Sequence, residues 1–147
     1  MYGQDFLIIF FISLPNIFMK NKALNNLEAA QLLINNSCYT ESVHCSYYAV
    51  LQYMKYMLNT TRTRAIPYEE QEYKGEDSHE RIITEISNRI SASPKDIRIF
   101  KEKVRFLKED RVRADYKLDV FDAGESADVK QRAEGLITNM KTYFGNI

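Results

Sequence analysis

SPKDIRIFKEKVRFLKEDRVRADY, from Ser93 to Tyr116, is the stretch that decides the fold. Ser93 before Pro94 reads as a helix start, because proline at the first helical position lacks an amide that would go unbonded there anyway. Ile97, Phe100, Val104 and Leu107 then recur in steps of three and four, the period of an amphipathic helix with one face in a core. The next step of four lands on Arg111, so an arginine continues the apolar row. Burying an unpaired guanidinium is costly, and Arg111 therefore needs a partner or access to water. Asp115 lies one further turn along, at the spacing where two helical side chains meet. The simplest reading is an ion pair at the rim of a bundle. The functional reading is an anion-binding or catalytic arginine, with Tyr116 as a nearby hydrogen-bond donor.

The same period appears on both sides. Upstream, Leu24, Leu27, Ala30, Leu33 and Ile34 mark a helix running to about Asn36. Thr40 reads as the N-cap of a second, whose stripe passes through Val43, Tyr47, Val50, Leu51, Met54, Met57 and Leu58. Asn59 to Gly75 has no sustained period, contains Pro67 and is longer than an ordinary connection. Asp77 with Glu80 matches a capping box for a third helix, through Ile82, Ile83 and Ile86 to Ile90. Downstream, Ser126 reads as the cap of a fifth, with Val129, Ala133, Leu136, Ile137, Met140 and Phe144 on one face. No alternating strand pattern or internal repeat is present. The expectation is an all-α, up-and-down bundle of about five helices, with at least four alternating in direction.

Residues 1–18 read separately from the 19–147 bundle. Phe6 to Phe18 is apolar apart from Ser13 and Asn16 and is interrupted by Pro15, too short a run to span a bilayer as a helix. Asp5 replaces the basic start of a secretory signal, and no small-residue cleavage site follows. Met19, ahead of the polar Lys20 to Asn26, reads as the natural start, the alternative being a segment that packs on the bundle. Lysine plus arginine equals aspartate plus glutamate at 20 each, so no global charge drives the chain onto nucleic acid or an anionic membrane. Cys38 and Cys45, with His44 and His79 the only imidazoles, form neither a disulfide framework nor a zinc pattern, which reads as a reducing, cytoplasmic setting. With no glycine-rich phosphate loop and no metal-ligand cluster, no cofactor is expected.

Two other features carry possible chemistry. On the second helix, SVHCSYYA at Ser42 to Ala49 sets His44 and Tyr48 one turn apart; with His79 they are candidate cleft residues, although packing is the ordinary role of such tyrosines. Lysines and arginines crowd the fourth helix, while Glu69 to Glu80 is acidic. Such runs mark a solvated face, a phosphate-contacting strip or charge-complementary self-association.

SVHCSYYAVLQYMKYML (Ser42 to Leu58), SHERI (Ser78 to Ile82) and RVRADY (Arg111 to Tyr116), with AEGLITNMKTYF more weakly, resemble the HEPN proteins, small helical bundles of prokaryotes, and among them the short uncharacterised type. The resemblance implies a bundle that is often a homodimer, commonly encoded beside a minimal nucleotidyltransferase as a toxin and antitoxin pair, and cleaving RNA in its active members. Those members carry an arginine followed a turn or so later by a histidine. Arg111 matches the arginine, Asp115 stands in the histidine's place, and no histidine follows Arg111. A carboxylate can accept a proton there but is a poor donor to the leaving oxygen of a phosphodiester, so His44 or His79 would have to serve from another helix. Two readings follow: a dimerising module that binds a protein, RNA or a nucleotide-like anion with little or no catalysis, or an RNA endonuclease using Arg111 and Tyr116.

Overall fold

A computed structural model describes residues 3–74 and 77–145, with side chains from Asn16 onward. The described residues form helices α1 (Gly3–Asn35), α2 (Tyr39–Thr60), α3 (Ser78–Ser87), α4 (Pro94–Tyr116) and α5 (Ala123–Phe144), with one 3-10 turn at Tyr68–Gln71 and no strand. The chain is an all-α five-helix bundle. No described helix is long and apolar enough to cross a membrane.

Paired side chains fix the helix directions. Asn26 bonds Gln52 at 2.8 Å and Asn59 bonds Asn16, so α1 and α2 are antiparallel. Their connection is short because α1 ends in a Schellman turn: Ser37 takes the left-handed conformation, and the amides of Ser37 and Cys38 donate back to Ile34 and Leu33. His44 meets Asp115 and Tyr47 meets Arg111, which sets α4 antiparallel to α2. Arg132 meets Asp110 and Phe100 meets Tyr143, which sets α5 antiparallel to α4. Thus α1, α2, α4 and α5 alternate. The exception is α3, whose Asp77 and Glu80 meet Lys108 and Arg105, so it is antiparallel to α4 and parallel to α2.

That direction accounts for the long connection after α2. The chain must travel back along α2 before α3 can start, and its backbone polar groups need partners on the way. Ile66 N–H donates to Leu58 O, and the buried Gln71 amide donates to Lys55 O at 3.0 Å and Ile66 O at 2.7 Å. Gln71 thereby staples the returning segment to α2.

The core lies around α2, which packs against every other helix. Its centre is Tyr47, Met54, Met57 and Leu58 from α2, Ile82, Ile83 and Ile86 from α3, Phe100, Val104 and Leu107 from α4, and Leu136 and Met140 from α5, all buried.

Several helix ends differ from the sequence reading. The backbone of α1 is helical from Gly3, ahead of Leu24 and across Pro15, while side-chain packing of residues 1–15 lies outside the described part; Ile17 and Phe18 are exposed. The N-cap of α2 is Cys38, with no side-chain cap bond; Thr40 sits inside the first turn, and its hydroxyl accepts from Phe121 N–H at 3.2 Å instead. Helix α3 ends at Ser87, because Arg89 and Ile90 bond three residues back rather than four and tighten the chain into a turn. Asp77 caps α3 by accepting from Glu80 N–H, but the reciprocal half of a capping box is missing because Glu80 is bonded to Arg105. The reciprocal box forms at α5, between Asp122 and Glu125, and Ser126 is buried one turn inside.

Replacing Asp122 by Ala should lower unfolding free energy in urea by about 1 kcal/mol, the usual cost of a lost N-cap. Ser126→Ala should cost only a few tenths of that, since its hydroxyl merely donates to Ala123 O, a carbonyl of the helix's own first turn.

Candidate functional site

At the C-terminal end of α4 the apolar row closes on Arg111, which is only 8 % exposed. Its guanidinium lies 5.2 Å from the Tyr47 ring centre, 5.9 Å from Tyr48 and 5.6 Å from Tyr116. Aromatic faces attract a cation most where water is excluded, so the rings take over part of the lost hydration. The nearest anion is Asp115, at 3.6 Å from one terminal nitrogen, an ion-pair distance rather than a hydrogen bond. The Arg111 Nε is buried with no hydrogen-bond partner.

Asp115 serves a second cation-capable group. His44 Nδ1 lies 3.0 and 3.1 Å from its two carboxylate oxygens. A carboxylate only accepts, so Nδ1 carries the hydrogen and donates it, leaving Nε2 as the ring's other functional atom. Tyr48 stacks on the imidazole, with centroids 4.5 Å apart, and the His44 side chain is 48 % exposed. Behind this pair, Tyr47 and His79 Nδ1 share a 2.8 Å hydrogen bond. Burial pushes the Tyr47 phenol well above its ordinary range, against the opposing pull of the Arg111 charge. Burial also pushes His79 down, helped by the positive charges of Arg111, Lys108 and Lys55. Both groups are therefore neutral near pH 7.

The structure thus brings Arg111, Asp115, Tyr116, His44, Tyr48 and His79 to one end of the bundle, where α2, α3 and α4 meet. His44, Asp115 and Cys45 also line a cleft of 350 Å³ with Leu33, Thr40, Glu41 and Ala114. Burial and the neighbouring Asp115 carboxylate raise the Cys45 thiol, which makes it a poor nucleophile. Tyr47, placed by the sequence in the core stripe, is the member that spacing missed. Its signal was available, since a tyrosine in a core row must find a partner for its hydroxyl. No group of described residues could hold a metal ion.

Much of the basic face of α4 is neutralised within the chain. Lys108 pairs with Asp77, Arg105 with Glu80, and Arg113 with Asp110 and Asp119. The Lys108 contact holds the Asp77 carboxyl below its usual range. A continuous phosphate-binding strip along α4 is correspondingly weakened.

Compared with protein-family models, with curated proteins and with solved structures, the chain has no match.

Arg111→Ala should destabilise the fold by about 1 kcal/mol in urea, the scale of a lost cation over aromatic rings, because Asp115 is exposed and stays bonded to His44 rather than being left as a buried unpaired charge. The pH dependence has a definite sign at His79. Its folded pKa lies below the unfolded value near 6.5, so the unfolded chain takes up a proton that the folded chain refuses. Stability from this group is complete above about pH 6.5 and is lost as the pH falls toward the folded pKa. Denaturation of wild type and His79→Gln from about pH 7 to 5 should show the steeper loss in wild type.

Proposed function

We propose that this chain is a HEPN-like binding module that works as a homodimer through the Arg111 end of its bundle, as one component of a toxin–antitoxin or nucleotidyltransferase-associated system. The observation that carries this reading is the change of surface just beyond Arg111: Tyr116, Leu118 and Val120 are 72 %, 102 % and 84 % exposed. Exposed apolar residues in a group, beside an ordered polar cluster, favour a protein contact. The resemblance of three stretches to HEPN proteins, and an arginine held at the same bundle end, supply the partner class: a second copy, and a minimal nucleotidyltransferase as antitoxin. Against ordinary HEPN ribonuclease chemistry stand Asp115 in the histidine's place and an Arg111 guanidinium covered by tyrosine rings, poorly placed for a phosphate.

A second reading, RNA cleavage, is favoured by one specific contact. His44 reaches Asp115 from α2, which gives the arginine a neighbouring imidazole with Nε2 free for proton transfer.

Purified protein should sediment as a dimer at micromolar concentration and leave transfer and messenger RNA intact. Cleavage that is abolished by both Arg111→Ala and His44→Ala, in variants that still fold, would overturn the first reading in favour of the second.

A further inference from the structure

The α4–α5 connection is exposed yet held in place. Arg113 Nε donates to Asp119 Oδ2 at 2.8 Å, and its guanidinium lies 4.9 Å from the Phe121 ring centre. Phe121 is buried, with its N–H on Thr40 Oγ1 of α2. Leu118 and Val120 are thus displayed by a connection anchored on both sides, the arrangement that lowers the ordering cost of a protein contact. They border a cleft of 480 Å³ whose lining includes Glu41 from the start of α2 and Lys117 from the end of α4. Glu41 and Lys117 are both exposed, and neither forms an ion pair among the described residues. One cleft therefore carries one unpaired carboxylate, one unpaired ammonium and an apolar pair.

A two-fold interface uses the same patch on both copies, so the patch must complement itself: each charge needs its opposite within the same surface. Glu41 and Lys117 meet that requirement. From this we infer that the surface formed by Glu41, Lys117, Leu118 and Val120 is the self-association face, with Lys117 of one copy meeting Glu41 of the other across a two-fold axis. A chain of zero formal charge adds no long-range repulsion between copies. A nucleic acid fits this surface poorly, since Glu41 and Asp119 line the cleft beside a single cation, Lys117. Thr40, Glu41 and Ala114 line both this cleft and the one holding His44 and Asp115, so a second copy seated here borders both His44–Asp115 pairs.

The inference rests on the homodimer reading above and names its surface. The test is sedimentation equilibrium of the full chain with Glu41→Lys, Lys117→Glu, the two combined, and Leu118→Ser. In a two-fold dimer each substitution acts twice, so each single charge reversal should weaken association by about tenfold or more. The double reversal should restore it to within about threefold of wild type. Leu118 is fully exposed in the monomer, so Leu118→Ser should weaken association while leaving the chain's helical circular dichroism unchanged, which separates interface loss from misfolding. A wild-type dimer indifferent to all four variants overturns this surface and leaves the homodimer reading standing. Single reversals that weaken a dimer without rescue by the double overturn the Glu41–Lys117 pairing. A wild-type chain that stays monomeric overturns both, and leaves the surface to a different protein partner.

Discussion

A guanidinium cannot leave water without replacement for what it loses, and the position of Arg111 at the end of an apolar row makes that replacement the organising constraint of this bundle. The replacements come from two helices, and a third supports them. Tyr47 and Tyr48 bring ring faces from α2, Asp115 brings charge from the next turn of α4, and Tyr47 is in turn tied to His79 at the start of α3. Asp115 then engages His44 of α2, so the arginine's counter-ion is itself held across the helix interface. The groups around one charged residue thereby link α2, α3 and α4 at a single end of the fold.

The parallel course of α3 and α2 follows the same logic of satisfied groups. Only a chain that returns along α2 brings His79 level with Tyr47 and sets Asp77 and Glu80 against Lys108 and Arg105. The long connection is therefore structural along its length, pinned by Gln71 and by the Ile66 amide. Neutralising α4 against α3 also changes what the outside of the molecule offers. The cations toward the C-terminal half of α4, Arg105, Lys108 and Arg113, are paired within the chain, and past Tyr116 the surface is apolar at Leu118 and Val120.

The periodic rows were legible because burial imposes the helical period directly: Phe100, Val104, Leu107 and Arg111 are buried in the order that their spacing required. Asp115 beside Arg111 was legible for the same local reason. His44 against Asp115 was not, because a contact between residues 71 apart in sequence is set by how α2 and α4 cross, which no spacing within one helix encodes. Caps failed where two candidates competed. Asp122 with Glu125 forms the reciprocal box that Ser126 could not, and Glu80 abandons its own box for Arg105, a partner 25 residues away. Thr40 has cap chemistry but spends its hydroxyl on Phe121. The misses at Glu80 and Thr40 are tertiary contacts overriding a local preference, and the one at Ser126 is a better local cap four residues earlier.

The claim that Arg111 is held jointly by α4 and by the tyrosines of α2 is tested most directly by a double-mutant cycle in urea denaturation between Arg111→Met and Tyr47→Leu. A coupling energy of about 1 kcal/mol or more is the predicted result, as expected for a cation over a ring away from water. Effects that add to within about 0.3 kcal/mol would show that the two residues act independently, and would contradict it.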